Sequence, residues 1–208
     1  MRDKESGRSG RPRSFDVDAA LELGQRLFHE RGYDGVSLAD LTHALGIAAP
    51  SFYAAFDSKA AFFQKILGRH ASATPPFDEF LIEGHPIATA IEQFLVARAV
   101  TYSEQALAKG CLVLEATHNC SDPSALSAAE QIAEDGRLHM RDLLAKSRPD
   151  LSEPISDLVA SMMHGLSALA RQGWSTDRLV AAARNSALSV RAMVENAKPG
   201  APGGSAAT

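Results

Sequence analysis

Between Ser37 and Phe56 the chain carries two short apolar-periodic stretches joined by only four residues, Leu45-Gly46-Ile47-Ala48. So short a link containing glycine forces a sharp reversal while both stretches share one small core, which is the connection of a helix-turn-helix. The first stretch opens on Ser37, with Asp40 at the third helical position, a capping box with Asp in place of the commoner Glu. It places Leu38, Leu41 and Leu45 on one stripe and ends at Gly46. The second stretch starts near Pro50, where a missing N–H costs nothing, and buries Phe52 and Phe56. The second helix of such a pair can enter the ~12 Å major groove of duplex DNA. Its outward residues are Ala49, Ser51, Ala54 and Ala55, with Tyr53 at the edge.

The flanking sequence supplies the rest of a small helical head. Asp16 can cap a helix whose predicted inner face is Ala20, Leu23, Leu27 and Phe28, and Gly32 stops it. Ser58 caps a further helix with Phe62, Phe63, Ile66 and Leu67 facing inward. Phe28, Tyr33, Phe52, Phe56 and Phe62 are predicted core residues, Tyr33 packing the head together rather than touching DNA. Pro75 and Pro76 then break the pattern and place a junction within residues 72–85. Beyond it the punctuation at Gly110, Asp122-Pro123, Pro149 and Gly173 predicts amphipathic helices over 86–108, 110–119, 123–147, 153–172 and 175–196. Trp174 is expected to anchor the turn between the last two. No strand-like alternation appears, so the expected fold is all-α with about nine helices.

The expected organisation is a basic flexible arm over 1–14, a DNA-binding head over 15–71, a helical body over 72–197 and a disordered tail over 198–208. Hydrophobic residues make up 45% of the 208 and charged residues 22%, enough apolar side chain for a real core. The net charge of −4 at first opposes nucleic-acid binding, but its distribution does not. Arg2, Lys4, Arg8, Arg11 and Arg13 give the arm a surplus of positive charge over Asp3 and Glu5. Residues 1–70 are near neutral with ten basic and nine acidic side chains, and the acidity belongs to the remainder. No apolar run approaches the roughly 18 residues of a membrane span, and the polar N-terminus is not a secretory signal. A cytoplasmic location is expected.

The run Ala20-Leu21, Leu27-Phe28, Gly32-Tyr33, Val36-Ser37-Leu38, Leu41, Leu45-Gly46-Ile47, Ser51-Phe52-Tyr53, Phe56 and Lys59 resembles the DNA-binding domain of the TetR family of bacterial repressors. The match covers about residues 14–70 at fixed spacing; the rest resembles the family only in length, helicity and helix order. The resemblance implies phosphate contacts from Ser37, Tyr53 and Lys59, which suit a hydroxyl at a helix start, a phenol and an ammonium. Ala49, Ser51 and Ala54 would face the bases. Ala54 and Ala55 depart from the aromatic, His or other polar residues many members carry there, and alanine can only touch a thymine methyl. Arg11 and Arg13 are expected to reach an adjacent minor groove.

The resemblance further implies a homodimer formed through residues 153–172 and 175–196. Ile155, Leu158, Val159, Met162, Met163, Leu166 and Leu169 form one expected stripe, with Leu179, Val180, Ala183, Ala187, Val190 and Met193 as the other. It implies a double-stranded DNA operator as partner and a small-molecule inducer, with candidate pocket positions Phe94, Tyr102, Cys111, His118, Met140 and His164. Gly110-Cys111-Leu112 resembles a sequence of one subgroup whose members include thiol sensors. Gly110 and Lys109 could lower the Cys111 pKa; the alternative is a small buried apolar residue. His118-Asn119-Cys120 is too sparse for a metal site, and no cofactor is expected. His139 reads as a surface histidine, and His164 as pocket-lining or core. Nucleophile–base pairs, phosphate loops and paired carboxylates are missing, which disfavours an enzyme. A ligand-independent DNA-organising protein would need a more basic surface.

Overall fold

The computed structural model describes residues 16–104 and 109–197. The expected arm (1–14) and tail (198–208) lie outside the described residues, as does 105–108. Among the described residues the structure is entirely helical, in chain order α1 (Val17–Arg31), α2 (Leu38–Leu45), α3 (Ala49–Phe56), α4 (Lys59–Ser72), a short 3₁₀ turn (Phe77–Phe80), α5 (Ile87–Glu104), α6 (Leu112–Ala116), α7 (Pro123–Ala145), α8 (Ser152–Arg171) and α9 (Thr176–Asn196). None of these helices is long and apolar enough to cross a membrane.

Local chemistry sets most helix starts. Asp16, Ser37, Ser58, Asp122 and Ser175 each accept a backbone N–H of the first turn, worth about 1 kcal/mol apiece. Two expectations need correction. Helix α6 is much shorter than the 110–119 segment, because Gly110 sits at φ +85° and Cys111 is only the residue that caps it. The α1 inner face is also rotated: Ala20, Leu21, Gly24 and Phe28 are buried, whereas Leu23 and Leu27 are half-buried. The cause is Phe62, whose ring fills the space that Gly24 leaves open.

Five phenylalanines, Phe28, Phe52, Phe56, Phe62 and Phe63, are fully buried and bring α1, α3 and α4 together. Phe56 meets Phe62 at 4.4 Å between ring centroids, and Phe28 meets Phe63 edge-on at 4.7 Å. Each such ring contributes roughly 1.5–3 kcal/mol by burial. The same apolar cluster continues through Leu112, Val113 and Ala116 of α6 and Ala125 and Ala129 of α7. Helix α4 is therefore held on one side by the head and on the other by the body.

In the body, α5 packs against both α8 and α9, and α7 packs against α8. This corrects the expected subunit stripes. Ile155, Val159, Leu166, Leu179, Ala183, Ala187 and Val190 are buried within the chain's own core, because α5, which buries Ile91, Phe94, Leu95 and Ala99, covers the inner faces of both helices. Leu158, Met162, Met163, Leu169, Val180 and Met193 are half-buried, and Gly165, Ala168 and Leu188 are exposed. Trp174 packs at the α8–α9 turn with the Arg178 guanidinium 3.6 Å from its ring centroid.

A Cβ added at Gly24 would lie 2.5 Å from the Phe62 ring and 2.8 Å from Ile66. That ring is wedged among other aromatics and has nowhere to go. Gly24→Ala is expected to cost about 1–3 kcal/mol, although Gly→Ala in an open helix normally stabilises by about 0.5–1 kcal/mol. Gly68→Ala in α4, which meets nothing within 4 Å, is the matched control and should stabilise. Urea denaturation of both variants checks the pair.

Candidate nucleic-acid interface and ligand cavity

The reversal between α2 and α3 is closed at Gly46, whose left-handed backbone (φ 65°, ψ 32°) lets its N–H donate to the carbonyls of His43 and Thr42. Only glycine takes this conformation without crowding a Cβ. Helix α3 follows with Phe52 and Phe56 fully buried on one side. Ser51, Tyr53 and Ala54 are left exposed on the other, Tyr53 at 49%, and Ala49 and Ala55 are half-buried. Burial of two large rings on one face thus dictates which short side chains face outward.

The remaining sequence-derived contact residues are less free. The Ser37 hydroxyl donates to Asp40 Oδ2 at 2.5 Å and accepts the Asp40 N–H at 3.1 Å, and the Ser37 N–H donates to the same carboxylate at 2.8 Å. These hydrogen bonds hold the Asp40 carboxyl below the usual carboxylate range. A phosphate at Ser37 would have to draw that hydroxyl proton away from Asp40. The Lys59 ammonium lies 3.9 Å from the Tyr33 ring centroid, and its burial lowers its pKa, opposed first by Asp34. Arg11 and Arg13 lie outside the described residues.

Two of the ties between head and body were not legible in the sequence, since their partners lie 80 or more positions apart. Tyr33 is buried beside Phe28 and Phe63, and its hydroxyl donates to Asp122 Oδ2 at 3.0 Å. Asp122 meanwhile caps α7 through its other oxygen. Next to it, Asp34 accepts from the N–H and hydroxyl of Ser121 at 2.9 and 2.7 Å. In the second tie, His29 Nε2 donates to the Gly110 carbonyl at 3.1 Å; a carbonyl can only accept, so Nε2 carries the proton. The His29 ring meets His70 edge-on at 5.7 Å. Burial, with His70 and Arg171 next, lowers the His29 pKa from 6.5 to about 4.

Behind α4 lies a cavity of about 260 Å³. Phe94, Tyr102, Cys111, Met140 and His164 all line it. His118 does not: α6 ends at Ala116, so His118 falls in the turn beyond, exposed, with Nε2 3.2 Å from His164 Nδ1. The structure adds His70, Arg98, Arg137 and His139 to the lining. His139 is exposed as expected and sits 3.2 Å from Asp78. A signal for Arg98 was present, since it lies one turn from both Phe94 and Tyr102, on the same face of α5. Among the described residues no cluster of three or more His, Cys, Asp or Glu could hold a metal.

The Cys111 N–H donates to Ser167 Oγ at 2.9 Å, and its thiol lies 3.8 Å from His70 Nε2. Burial pushes the thiol pKa up, outweighing the backbone N–H groups of Leu114 and Val113 and the charge of Arg98 that pull it down. Of the two readings of Cys111, this balance favours the buried thiol over the activated thiolate. Burial likewise raises Tyr102 and lowers His70 and His164.

A helix-turn-helix head tied through one long helix to a cavity-bearing helical body defines a class, the DNA-binding regulators with a built-in sensing domain. Residues 19–66 match the pattern of the bacterial regulatory proteins, tetR family. The chain is 34% identical over 193 residues to the HTH-type transcriptional repressor BdcR of Escherichia coli strain K12, spanning 92% of this chain and 98% of that protein. It is 27% identical to the HTH-type transcriptional repressor ComR of the same strain over 185 residues, 82% of this chain and 87% of the relative. Among solved structures, a triple cysteine mutant of the TetR family regulator CifR, complexed with a 26-base-pair operator duplex, superposes with TM-score 0.71 at 27% identity, covering 86% of this chain and 98% of that one. The chain belongs to the TetR family of bacterial transcriptional regulators. That membership sets aside the enzyme reading.

Histidine burial gives a pH test of the head–body tie. His29 binds its proton at about 4 when folded and near 6.5 when unfolded, so between these values the unfolded chain holds more protons. Stability contributed by the neutral ring is complete above pH 6.5 and is lost as pH falls toward 4, by at most about 3 kcal/mol. His70 and His164 shift in the same direction. Denaturant unfolding at pH 7, 5.5 and 4.5 is expected to show this fall. It should be shallower in His29→Gln, which keeps a donor for Gly110 but does not titrate.

Proposed function

We propose that this chain is a homodimeric repressor that binds a palindromic operator through paired α3 helices and releases it when a small molecule occupies the cavity. The observation that carries this reading is α3 itself, anchored by Phe52 and Phe56 and offering Ser51, Tyr53 and Ala54 to solvent. The relatives BdcR and ComR, both named as repressors, and the operator duplex bound to CifR support it. Tyr53, Lys59 and Ser37 contact phosphates, the last by trading its bond to Asp40. Ala49, Ser51 and Ala54 meet base edges in the major groove, and Arg11 and Arg13 follow the adjacent minor groove. The working division of labour is an arm over 1–14, a reading head over 15–71, a sensing and dimerising body over 72–197 and a tail over 198–208, acting in the cytoplasm.

Dimerisation uses the outer parts of residues 153–172 and 175–196, since the inner faces are occupied by α5. Leu188, 55% exposed on α9, and the small Gly165 and Ala168 on α8 suit a four-helix contact. Two heads then address successive major grooves about 34–36 Å apart. Release is a shift of population: a ligand favouring a different head separation weakens binding by its difference in affinity for the two states. Helix α4 is the mechanical link, because it belongs to the head core and also borders the cavity. The buried, protonated Cys111 favours release by a small molecule over release by thiol chemistry.

A gel shift with the duplex upstream of the protein's own gene tests the reading. Wild type should retain that duplex against excess random DNA, and Tyr53→Ala should weaken it about ten-fold or more without loss of stability. A chain beginning at Phe15 should bind less tightly and with a shallower salt dependence; equal binding to any sequence would refute operator recognition. Leu188→Glu should move the protein toward monomer in sedimentation and lower operator affinity in parallel. A dimer of unchanged strength would place the interface elsewhere.

A further inference from the structure

Resting on the regulator reading, we infer that the cavity takes a small organic monoanion, a carboxylate on an apolar body, with Arg98 pairing its charged end. Arg98 is only 5% exposed and borders the cavity. Its Nη2 donates to the Pro75 carbonyl, and its guanidinium lies over the Phe94 ring at 4.6 Å from the centroid. Its Nε has no hydrogen-bond partner. Among the described residues no carboxylate forms an ion pair with it; Glu79, exposed on the 3₁₀ turn, acts on it only at longer range. A buried cation so left is unfavourable, and an acceptor entering the cavity would relieve it.

The other lining groups select the same ligand. No Asp or Glu is among the cavity-lining residues. Arg137 contributes no free charge, being paired with Glu134, Glu153 and Asp157 at 2.7, 2.9 and 2.8 Å. His139 is paired with Asp78. Tyr102, one turn beyond Arg98 on α5, stays a neutral phenol and supplies a further hydroxyl to the cavity wall. The rest of the surface is largely apolar, with Phe77, Met140, Val159 and Met163 among its members.

Charge and size exclude the near alternatives. One uncompensated guanidinium matches a single negative charge, whereas a phosphate monoester, carrying close to two, would leave one unpaired among apolar walls. At about 260 Å³ the cavity falls below the ~300–1,000 Å³ of drug-sized sites, which suits one aromatic ring or a short alkyl chain. An amine would meet Arg98 as a like charge. The carboxylate would also sit beside His70, the α4 residue that meets His29 of the head. Binding would thereby act on the helix that positions α3.

Matched probes test this on the full-length protein by calorimetry and thermal shift. The acids are benzoate, 4-phenylbutyrate and octanoate, and each is compared with its neutral alcohol and with the corresponding amine. At least one acid is expected to bind about ten-fold or more tightly than its alcohol, with its amine weaker still. In Arg98→Met, which keeps the stem but removes the charge, that preference should vanish, and the unliganded variant should melt higher than wild type. Should no acid exceed its alcohol in wild type, the inference fails. It fails equally if Arg98→Met melts lower and keeps the preference, because Arg98 would then be a structural tie to Pro75. The gel shift separates the two levels: operator binding without acid preference overturns only the ligand class, whereas absent operator binding overturns the regulator reading itself.

Discussion

Helix α4 has to satisfy two cores at once. Phe62 and Phe63 fill the head against Phe28, Phe52 and Phe56, while the same apolar cluster runs on into α6 and the first turns of α7. A helix buried on both sides cannot tilt without disturbing one core or the other. The position of α3 relative to the body is thus tied to packing that includes Leu112, Val113 and Ala125. The Tyr33–Asp122 and His29–Gly110 bonds fasten the α1 side of the head to the same region. His70 and Ala71 of α4 line the cavity, so this helix borders the head core and the cavity wall together.

Desolvation organises the chemistry near that helix. His29, His70, His164, Tyr102 and Cys111 are all driven toward their neutral forms by burial. Arginine is the exception, because its pKa lies too far above neutrality for burial to remove the proton. The surroundings of Arg98 therefore retain a fixed cation beside His70, Tyr102 and Cys111, which burial holds in their neutral forms. Close to the head surface the balance differs. Half-buried Asp40 stays ionised, bonds Ser37 and lies 3.9 Å from Arg31, and its charge must be accommodated when the head approaches a phosphate backbone.

Much of the head was readable because its determinants are local. The Ser37–Asp40 capping box, the stop at Gly46 and the alternation of buried Phe52 and Phe56 with exposed Ser51, Tyr53 and Ala54 each depend on residues within about one or two helical turns. The α1 face departs from the local pattern for a non-local reason: Leu21 and Gly24 turn inward because Phe62, some forty positions away, occupies the groove over Gly24. Helix α6 starts later than its punctuation predicts because Gly110 adopts its positive φ while its carbonyl serves His29 and Cys111 is held by Ser167, contacts that periodicity does not register.

From its sequence alone, this protein's all-helical character, its helix-turn-helix and the face that α3 shows to solvent were determined, since caps, turn residues and 3.6-residue periodicity act over short stretches of chain. Tertiary structure alone decided which apolar stripes of α8 and α9 are covered by α5 and which stay open to solvent. It also decided that His118 stands outside the cavity and that a guanidinium on α5 stands within it. An apolar or charged side chain announces a preference for burial or for water, but its actual neighbours are chosen by helices dozens of residues distant. Only their packing can leave a cation without a counter-charge.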